Sequence, residues 1–369
     1  MRPVLARVHR WAGLFLAAWL LVLAGSGTIL VFHDELDSVL NRDVYSVEPG
    51  DTPLTPAALV ARATDAYPGS YVAGLDVPNR PDRSAKLHLR PRHDTPAAYA
   101  RHREVFVDPY TGVVLGDRGY GEAKLDRRHL LGAMYGLHRD FLLGDPMIWL
   151  LGLVAFLWLG MQVVGAYLAF PRLKFWKRSL RIRKGATGIV LFYDLHRSFG
   201  LWLLPATVVM AITAVSFQWS GSFSAVVSFF SPVTPHHYSQ ARTLPEPVYA
   251  VPAAFDHAAG AAQAATNGAG IDRIRQLPDK GLLWVYSFDR RDIYQEGRRW
   301  TFVSVLDGRV VSDRHQSEGS VGDAVLAWRY PLHSGKAFGW LGRVIVLCTG
   351  LAVLAGLISG LAVWFRKRR

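Results

Sequence analysis

Four histidines occupy matching positions in the two halves of the sequence and could bind a metal. His9 and His196 each open the motif His-Arg-x-x-Gly-Leu. His138 and His333 each follow a leucine and stand at equal spacing before a phenylalanine that ends an apolar run. Haem iron can take one axial imidazole on each face of the porphyrin. Two histidines that face each other across a helical bundle would therefore suit a bis-histidine b-type haem.

The elements that would position these histidines are four long apolar segments. A helix rises about 1.5 Å per residue, so about 20 apolar residues cross the hydrocarbon layer of a membrane. Four uncharged runs reach this length: Trp11–Phe32, Met147–Phe170, Ser198–Trp219 and Val344–Phe365. We therefore predict a four-helix membrane bundle made of a duplicated two-helix unit, and we expect the first helix to be retained rather than cleaved as a signal peptide.

The positive charge of the chain is concentrated in three short segments. Residues 1–10, 171–197 and 366–369 hold 15 of the 42 Lys and Arg residues but only one of the 29 acidic residues. Because Lys and Arg accumulate in cytoplasmic loops, we place both termini and the basic loop in the cytoplasm. The net charge of +13 then marks membrane topology, and we expect no nucleic-acid partner.

This topology sorts the histidines by membrane face. His9 and His196 lie where helices start at the cytoplasmic side, whereas His138 and His333 precede helices that start outside. We expect each pair to bind one haem b, giving two haems near opposite faces of a layer about 30 Å thick. His33, at the outer end of the first helix, is a backup candidate, because its repeat position carries no histidine. A histidine near a membrane surface can also be a simple polar anchor.

Any haem in this chain would be held without a covalent bond. The single cysteine, Cys348, lies in the fourth apolar run, and the sequence has no Cys-x-x-Cys-His motif. Small residues are needed where a haem presses on helices, and glycine is also common at ordinary helix contacts. The glycines expected to give this relief are Gly13, Gly25, Gly27, Gly200, Gly356 and Gly360.

Two long segments outside the helices are predicted to fold as small α+β modules. Each contains a helical stretch and short strands, and each ends in a hairpin that turns on Asp and Gly, at Asp108–Gly112 and at Asp307–Gly308. The predicted domain order is 1–32 (first helix), 33–145 (first module), 146–170 (second helix), 171–197 (basic loop), 198–219 (third helix), 220–335 (second module) and 336–369 (fourth helix and tail).

The motifs around the histidines resemble those of the PepSY-associated transmembrane family. The resemblance rests on His-Arg-Trp-Ala-Gly-Leu at residue 9, Asp-Leu-His-Arg-Ser-Phe-Gly-Leu-Trp at residue 194, Leu-His-Arg at residue 137 and Pro-Leu-His-Ser-Gly-Lys-Ala-Phe-Gly at residue 331. It covers nearly the whole chain, and the outer modules look like PepSY units. It implies a multi-pass protein of a bacterial inner membrane with periplasmic modules, and it marks His9, His138, His196 and His333 as the matching motif histidines.

Members of this family include haem b ferric-siderophore reductases. The resemblance therefore implies an enzyme that carries electrons from a quinol or a cytoplasmic reductase, through the inner and then the outer haem, to a periplasmic ferric chelate such as a ferric siderophore. We find no Gly-x-Gly-x-x-Gly fingerprint after a strand, so the electron donor must come from elsewhere. Two alternatives stay open: a non-enzymatic PepSY membrane regulator or binding protein, and a siderophore or iron transporter.

Overall fold

A computed structural model describes residues 1–92, 102–170 and 173–366. Arg172 and residues 367–369, which belong to the predicted basic segments, lie outside this range. The helices in the described part of the chain are α1 (Arg2–Leu30), α2 (His33–Leu40), α3 (Arg42–Tyr45), α4 (Pro56–Ala66), α5 (Leu130–Asp140), α6 (Asp145–Ala169), α7 (Trp176–Ser179), α8 (Gly188–Trp202), α9 (Leu204–Gln218), α10 (Ser220–Phe230), α11 (His237–Gln240), α12 (Pro252–Ala265), α13 (Val321–Ser334) and α14 (Gly339–Arg366). The strands are β1 (Ser70–Asp76), β2 (Ala85–Pro91), β3 (His102–Val107), β4 (Val114–Tyr120), β5 (Ile271–Leu277), β6 (Leu282–Ser287), β7 (Arg299–Ser304) and β8 (Val310–His315).

The chain divides into two compact units. The membrane unit comprises Met1–Phe32, Met134–Phe229 and the chain from Trp328 onward, and the sheet unit comprises His33–Ala133 and Phe230–Ala327. The last turns of α5 and α13, which carry His138 and His333, therefore belong to the membrane unit. The predicted modules 33–145 and 220–335 had included both of these helices in full.

Three helices of the membrane unit are long and apolar enough to cross a membrane. They are α1, α6 and α14, the last together with the short turn that begins at Lys336. α1 packs against both α6 and α14, while α6 also packs against α9 and α14 against α8. Leu16 and Leu20 of α1 and Val154 of α6 form a buried apolar cluster in this unit. The chain is therefore a multi-pass membrane protein by the length and composition of its helices.

The predicted third span, Ser198–Trp219, is two helices instead of one. α8 ends at Trp202, and α9 begins at Leu204 with a bend of 67° between them. Pro205 stands in the first turn of α9, where it has no N–H to donate to the preceding turn and its ring clashes with that turn. The expectation of one continuous helix is therefore wrong. The bent pair makes a fourth span if both helices cross the membrane together.

α8 also begins earlier than the apolar run suggests. Asp194, which is fully buried, bonds the guanidinium of Arg183 at 2.8 Å and lies 3.2 Å from that of Arg197. The carboxylate is therefore neutralised inside the helix, and α8 can start at Gly188 despite its charged residues.

The sheet unit contains one antiparallel sheet of eight strands. Its order is β4-β3-β2-β1-β5-β6-β7-β8, so each half of the chain supplies four neighbouring strands. The two halves join where Gly74, Leu75 and Asp76 of β1 pair with Arg275, Ile274 and Arg273 of β5. The two predicted modules therefore form a single sheet in the structure. α4 and α12 cover one face of it, above a core that includes Leu75, Leu87, Val105, Phe255 and Val285.

A buried ion-pair network lies in the first half of the sheet unit. Arg118 of β4 bonds Asp37 of α2 at 2.7 Å and Glu104 of β3 at 2.6 Å. Burial alone would raise the pKa of Asp37, but the hydrogen bonds and charge of Arg118 hold that pKa below its ordinary value. The guanidinium thus ties α2 to the edge of the sheet.

Candidate functional site

The four predicted histidines meet in two pairs within the membrane unit. The ring centres of His9 and His196 lie 6.2 Å apart, with an angle of 65° between the ring planes. The ring centres of His138 and His333 also lie 6.2 Å apart, with an angle of 56°. These are the two pairs that the predicted topology joins, and each contains one histidine from each half of the chain.

The spacing of the rings fits a metal between them. Two imidazoles bound through nitrogen to opposite sides of one metal, at about 2.0–2.1 Å each, would hold their ring centres about 6 Å apart. Within the described part of the chain, no hydrogen bond joins the two rings of either pair. Each pair therefore has the separation expected of two axial ligands.

A hydrogen bond to Nδ1 fixes the ring of His138. Nδ1 lies 3.0 Å from the carbonyl oxygen of Leu23 and 3.2 Å from Oγ of Ser26, both in α1. The Ser26 hydroxyl donates its own proton to the carbonyl of Val22 at 2.7 Å, so its oxygen can only accept from the ring. Nδ1 therefore carries the proton, which leaves the lone pair of Nε2 for a metal.

His333 is oriented in the same way, by a hydroxyl group of the second half of the chain. Its Nδ1 lies 2.8 Å from Oγ1 of Thr213 in α9. The Thr213 hydroxyl donates to the carbonyl of Val209 at 2.7 Å and accepts from the imidazole. The ring of Phe217 stands edge-on to His333, with 5.4 Å between ring centres. Nε2 of His333 is thus also left for a metal.

In the other pair, a backbone carbonyl rather than a hydroxyl group holds one of the two rings. His196 Nδ1 donates to the carbonyl of Gly356 in α14 at 2.7 Å. His9 Nδ1 is buried and has no hydrogen-bond partner among the described residues. A buried ring nitrogen without a partner is costly unless a further group satisfies it. This pair also fits two metal ligands, with His196 in the tautomer that leaves Nε2 free.

Glycines stand against three of the four rings. A Cβ at Gly27 would lie 2.8 Å from His138, a Cβ at Gly360 would lie 2.8 Å from His196, and a Cβ at Gly165 would lie 3.1 Å from His9. Gly27 and Gly360 were predicted to give room to a haem, and in the structure they contact histidine rings; Gly165 was not predicted. At the other four predicted glycines, no described atom lies within 4 Å of an added Cβ: Gly13, Gly25, Gly200 and Gly356.

The contacts around the rings repeat between the two halves, which the motif comparison did not reveal. The spacing from His9 to Ser26 equals the spacing from His196 to Thr213. Gly165 and Gly360 likewise follow the second histidine of their own half at equal spacing. An internal alignment that extended from the histidine motifs into the apolar runs would have found these positions. The duplication therefore includes the residues that orient the imidazoles.

Helix α1 contacts both pairs, at opposite ends. His9 lies near its start, and Gly27, which touches His138, lies near its end. At about 1.5 Å per residue, the two positions are separated by about 27 Å along the helix axis. That length is close to the thickness of a hydrocarbon layer, about 30 Å. The two pairs therefore lie a membrane thickness apart along α1.

His33 belongs to the sheet unit, whereas both histidine pairs belong to the membrane unit. It is the first residue of α2, and its Nδ1 lies 3.0 Å from a carboxylate oxygen of Asp34. Its Nε2 is buried and has no partner in the part of the chain that the structure describes. Within the described part of the sheet unit, no imidazole is paired with His33, so it remains a backup candidate only.

The comparisons with known proteins agree with this architecture. A search of curated proteins found no match to the chain. The family model described as the PepSY-associated TM region matches residues 6–367, which include all four paired histidines. Because this match covers nearly the whole chain, the protein belongs to the family of the PepSY-associated TM region.

Proposed function

We propose that the protein is a haem b oxidoreductase that carries electrons across a bacterial inner membrane and reduces a periplasmic ferric chelate, as a ferric-siderophore reductase does. The observation that supports this most is the presence of two imidazole pairs, each with its rings 6.2 Å apart, near opposite ends of α1. A single structural histidine needs no such partner, and two unrelated histidines would not share the same spacing and repeat positions.

His9 and His196 would hold the inner haem, and His138 and His333 the outer one. The basic segments 1–10 and 171–197 favour a cytoplasmic position for the first pair by the positive-inside rule. Electrons from a quinol or a cytoplasmic reductase would enter there. With haem bound, its iron supplies a one-electron couple at each position. The protein's contribution is to fix where each couple lies and how easily it is reduced.

The residues around the imidazoles tune that reduction. An imidazole whose Nδ1–H is hydrogen-bonded is a stronger donor through Nε2, which favours the ferric state. Ser26 and Thr213 do this for the outer pair, and the Gly356 carbonyl does it for His196. At the receiving end, reduction weakens the hold of hard oxygen ligands on iron, because ferrous iron is the softer cation.

Sealed liposomes test the proposed electron transfer. Vesicles that contain the haem-loaded protein would enclose a ferric hydroxamate chelate and a ferrous-trapping dye, with dithionite added outside. We expect the internal ferrous complex to form only with the protein present, and His9→Ala or His333→Ala to abolish its formation. His257→Ala, which changes an exposed histidine of the sheet unit, is the matched control.

Two other outcomes would contradict the proposal. If the ferric chelate left or entered the vesicles without reduction, the transporter alternative would be favoured. If neither electrons nor iron crossed the membrane although the protein was folded and inserted, the non-enzymatic binding protein would be favoured.

A further inference from the structure

A polar cluster lies on the face of the sheet opposite α4 and α12, in strands β1 to β3. His88 Nδ1 lies 2.8 Å from His102 Nε2, and His88 Nε2 lies 2.9 Å from a carboxylate oxygen of Asp76. Oε1 of Glu104 lies 3.9 Å from each of the two facing ring nitrogens. Among the described residues, this is the one group of three histidine, cysteine or acidic side chains whose donor atoms converge in this way.

The fold itself does not require polar side chains here. His88 pairs with Glu104 across strands β2 and β3, and the corresponding pair across β6 and β7 in the other half is Tyr286 with Trp300. The second half therefore fills these two positions of the same sheet with aromatic rings. Partly buried charged groups cost desolvation energy that aromatic rings avoid. The polar set in the first half is therefore better explained by a ligand than by packing.

We propose that His88, His102 and Glu104 form a binding site for a divalent first-row transition-metal ion. Two imidazoles and one carboxylate are a donor set that zinc and its neighbours accept. Three donors at about 2.0–2.2 Å from one ion lie about 3–4 Å apart, which is close to the 2.8 Å and 3.9 Å seen here. The two histidines are partly exposed, with 14% and 16% of their side-chain surface accessible, so an ion can reach them.

Asp76 orients the first ligand. Its carboxylate accepts the Nε2–H of His88, which turns the Nδ1 lone pair toward His102. A carboxylate behind a metal-bound imidazole is the usual arrangement around metal sites, and it both fixes the tautomer and strengthens the donor. On the other side, Arg118 bonds Oε2 of Glu104 at 2.6 Å, which leaves Oε1 for the ion.

Lys86 competes with the ion for the same carboxylates. Its ammonium lies 3.4 Å from Oε1 of Glu104 and 3.6 Å from Asp76. The flexible lysine side chain must therefore move away from Glu104 when a metal binds. Removal of this positive charge should tighten metal binding, an effect opposite to that of removing a ligand.

The test uses the full haem-loaded chain in detergent, without a histidine tag and after treatment with EDTA. Isothermal titration with Zn²⁺ should give one ion per chain, and Mg²⁺ should give none. His88→Ala and His102→Ala should each abolish this binding, Asp76→Asn should weaken it by about 10–100-fold, and Lys86→Met should tighten it. His257→Ala should leave it unchanged.

Zn²⁺ binding that persists in both histidine variants, or the absence of saturable binding in the unmodified protein, would overturn the proposal. Circular dichroism and size-exclusion chromatography, applied to each sample, show that the chain is folded. The site uses none of the four paired histidines, so this result is independent of the proposed electron transfer. If the alanine variants did not fold, His102→Gln and Lys86→Met would provide the test.

Discussion

A serine or threonine hydroxyl that donates its proton to its own helix can only accept from a neighbouring imidazole. Ser26, in the first half of the chain, and Thr213, in the second, both donate to their own helix. Ser26 then accepts from His138, and Thr213 accepts from His333. The Thr213 hydroxyl therefore fixes the tautomer of His333, and the Ser26 hydroxyl together with the Leu23 carbonyl fixes that of His138. No sequence motif marks either residue, because a buried serine or threonine in an apolar helix is ordinary until its neighbour is known.

We predict that Thr213→Val raises the reduction potential of the outer haem. Valine keeps the shape but removes the acceptor, so His333 becomes a weaker donor and the ferric state loses stability. If the ferric state becomes tenfold less stable relative to the ferrous state, the reduction potential rises by about 59 mV for one electron. A spectroelectrochemical titration measures the shift. Thr349→Val is the control, because among the described residues that hydroxyl bonds only the carbonyl of Ile345. Identical curves for both variants would contradict the assigned role of Thr213.

The glycine contacts lead to a second prediction at the same scale. Gly360→Leu should displace His196 and cost the protein its inner haem, whereas Gly27→Leu should displace His138 and remove the outer one, because an added Cβ would lie 2.8 Å from either ring. The haem-to-protein ratio should fall from two to one in each variant. Gly160→Leu in α6 adds the same bulk where no described atom lies within 4 Å of the new Cβ. Full haem content in both test variants would show that the rings do not need these positions.

At the scale of elements, apolar length predicted three spans well, and it failed where one residue broke the pattern. α1, α6 and α14 cover the predicted runs, but hydropathy does not register the 67° bend at Pro205. Alternation predicted most strands, yet β5 was missed, because Asp272, Arg273 and Arg275 dilute its apolar residues. Arg275 pairs with Asp76 of β1, and Arg273 pairs with Asp272 and with Glu296, which lies between β6 and β7. Such partners are invisible in a local pattern.

Strand pairing between the two halves of the chain was the second feature that the sequence did not predict. The repeated turns at Asp108–Gly112 and Asp307–Gly308 correctly indicated two similar halves, but local sequence does not tell whether two such halves stay separate. The contact of β1 with β5 makes one sheet of them. By contrast, the two histidine pairs followed from topology alone, since helices that start on one face must bring their first residues to that face. That these histidines bind haem stays a prediction.

The start of α13 offers a prediction about pH. Ser320 and Asp323 bond each other's backbone N–H groups, and Asp323 also accepts from Thr234 at 2.8 Å. Burial alone would raise the pKa of Asp323, but these N–H and hydroxyl donors hold that pKa below its ordinary value. The carboxylate therefore stabilises the fold above about pH 4, and this contribution is lost as the pH falls through the lowered pKa.

Asp323→Asn should accordingly lower the melting temperature at pH 7 by several degrees, since loss of a cap costs about 0.5–2 kcal/mol. The difference from the unmodified protein should shrink as the pH falls below about 4. Differential scanning fluorimetry at a series of pH values measures both. Asp65→Asn, at an exposed helical position, should change little at any pH. A difference that stays constant down to the lowest pH would refute the role of the Asp323 charge.

At the scale of the whole molecule, both halves of the duplicated chain contribute equally to the membrane unit and to the sheet unit. Each half supplies one histidine to each pair, and each half supplies four strands to the sheet. Neither half alone would present two facing imidazoles. The halves differ at one cross-strand pair of the sheet, which is His88 with Glu104 in the first half and Tyr286 with Trp300 in the second. The paired histidines are thus a shared feature of the two halves, and the polar cluster is particular to the first.

The most direct test of the central claim is the haem content of the purified full chain and of four variants, measured as the pyridine haemochrome with a reduced-minus-oxidised spectrum. We expect two haem b per chain, and one in each of His9→Ala, His196→Ala, His138→Ala and His333→Ala. The variants of one pair should lose the same spectral component. A folded, colourless protein, or full haem content in all four variants, would contradict the assignment of these histidines as axial ligands.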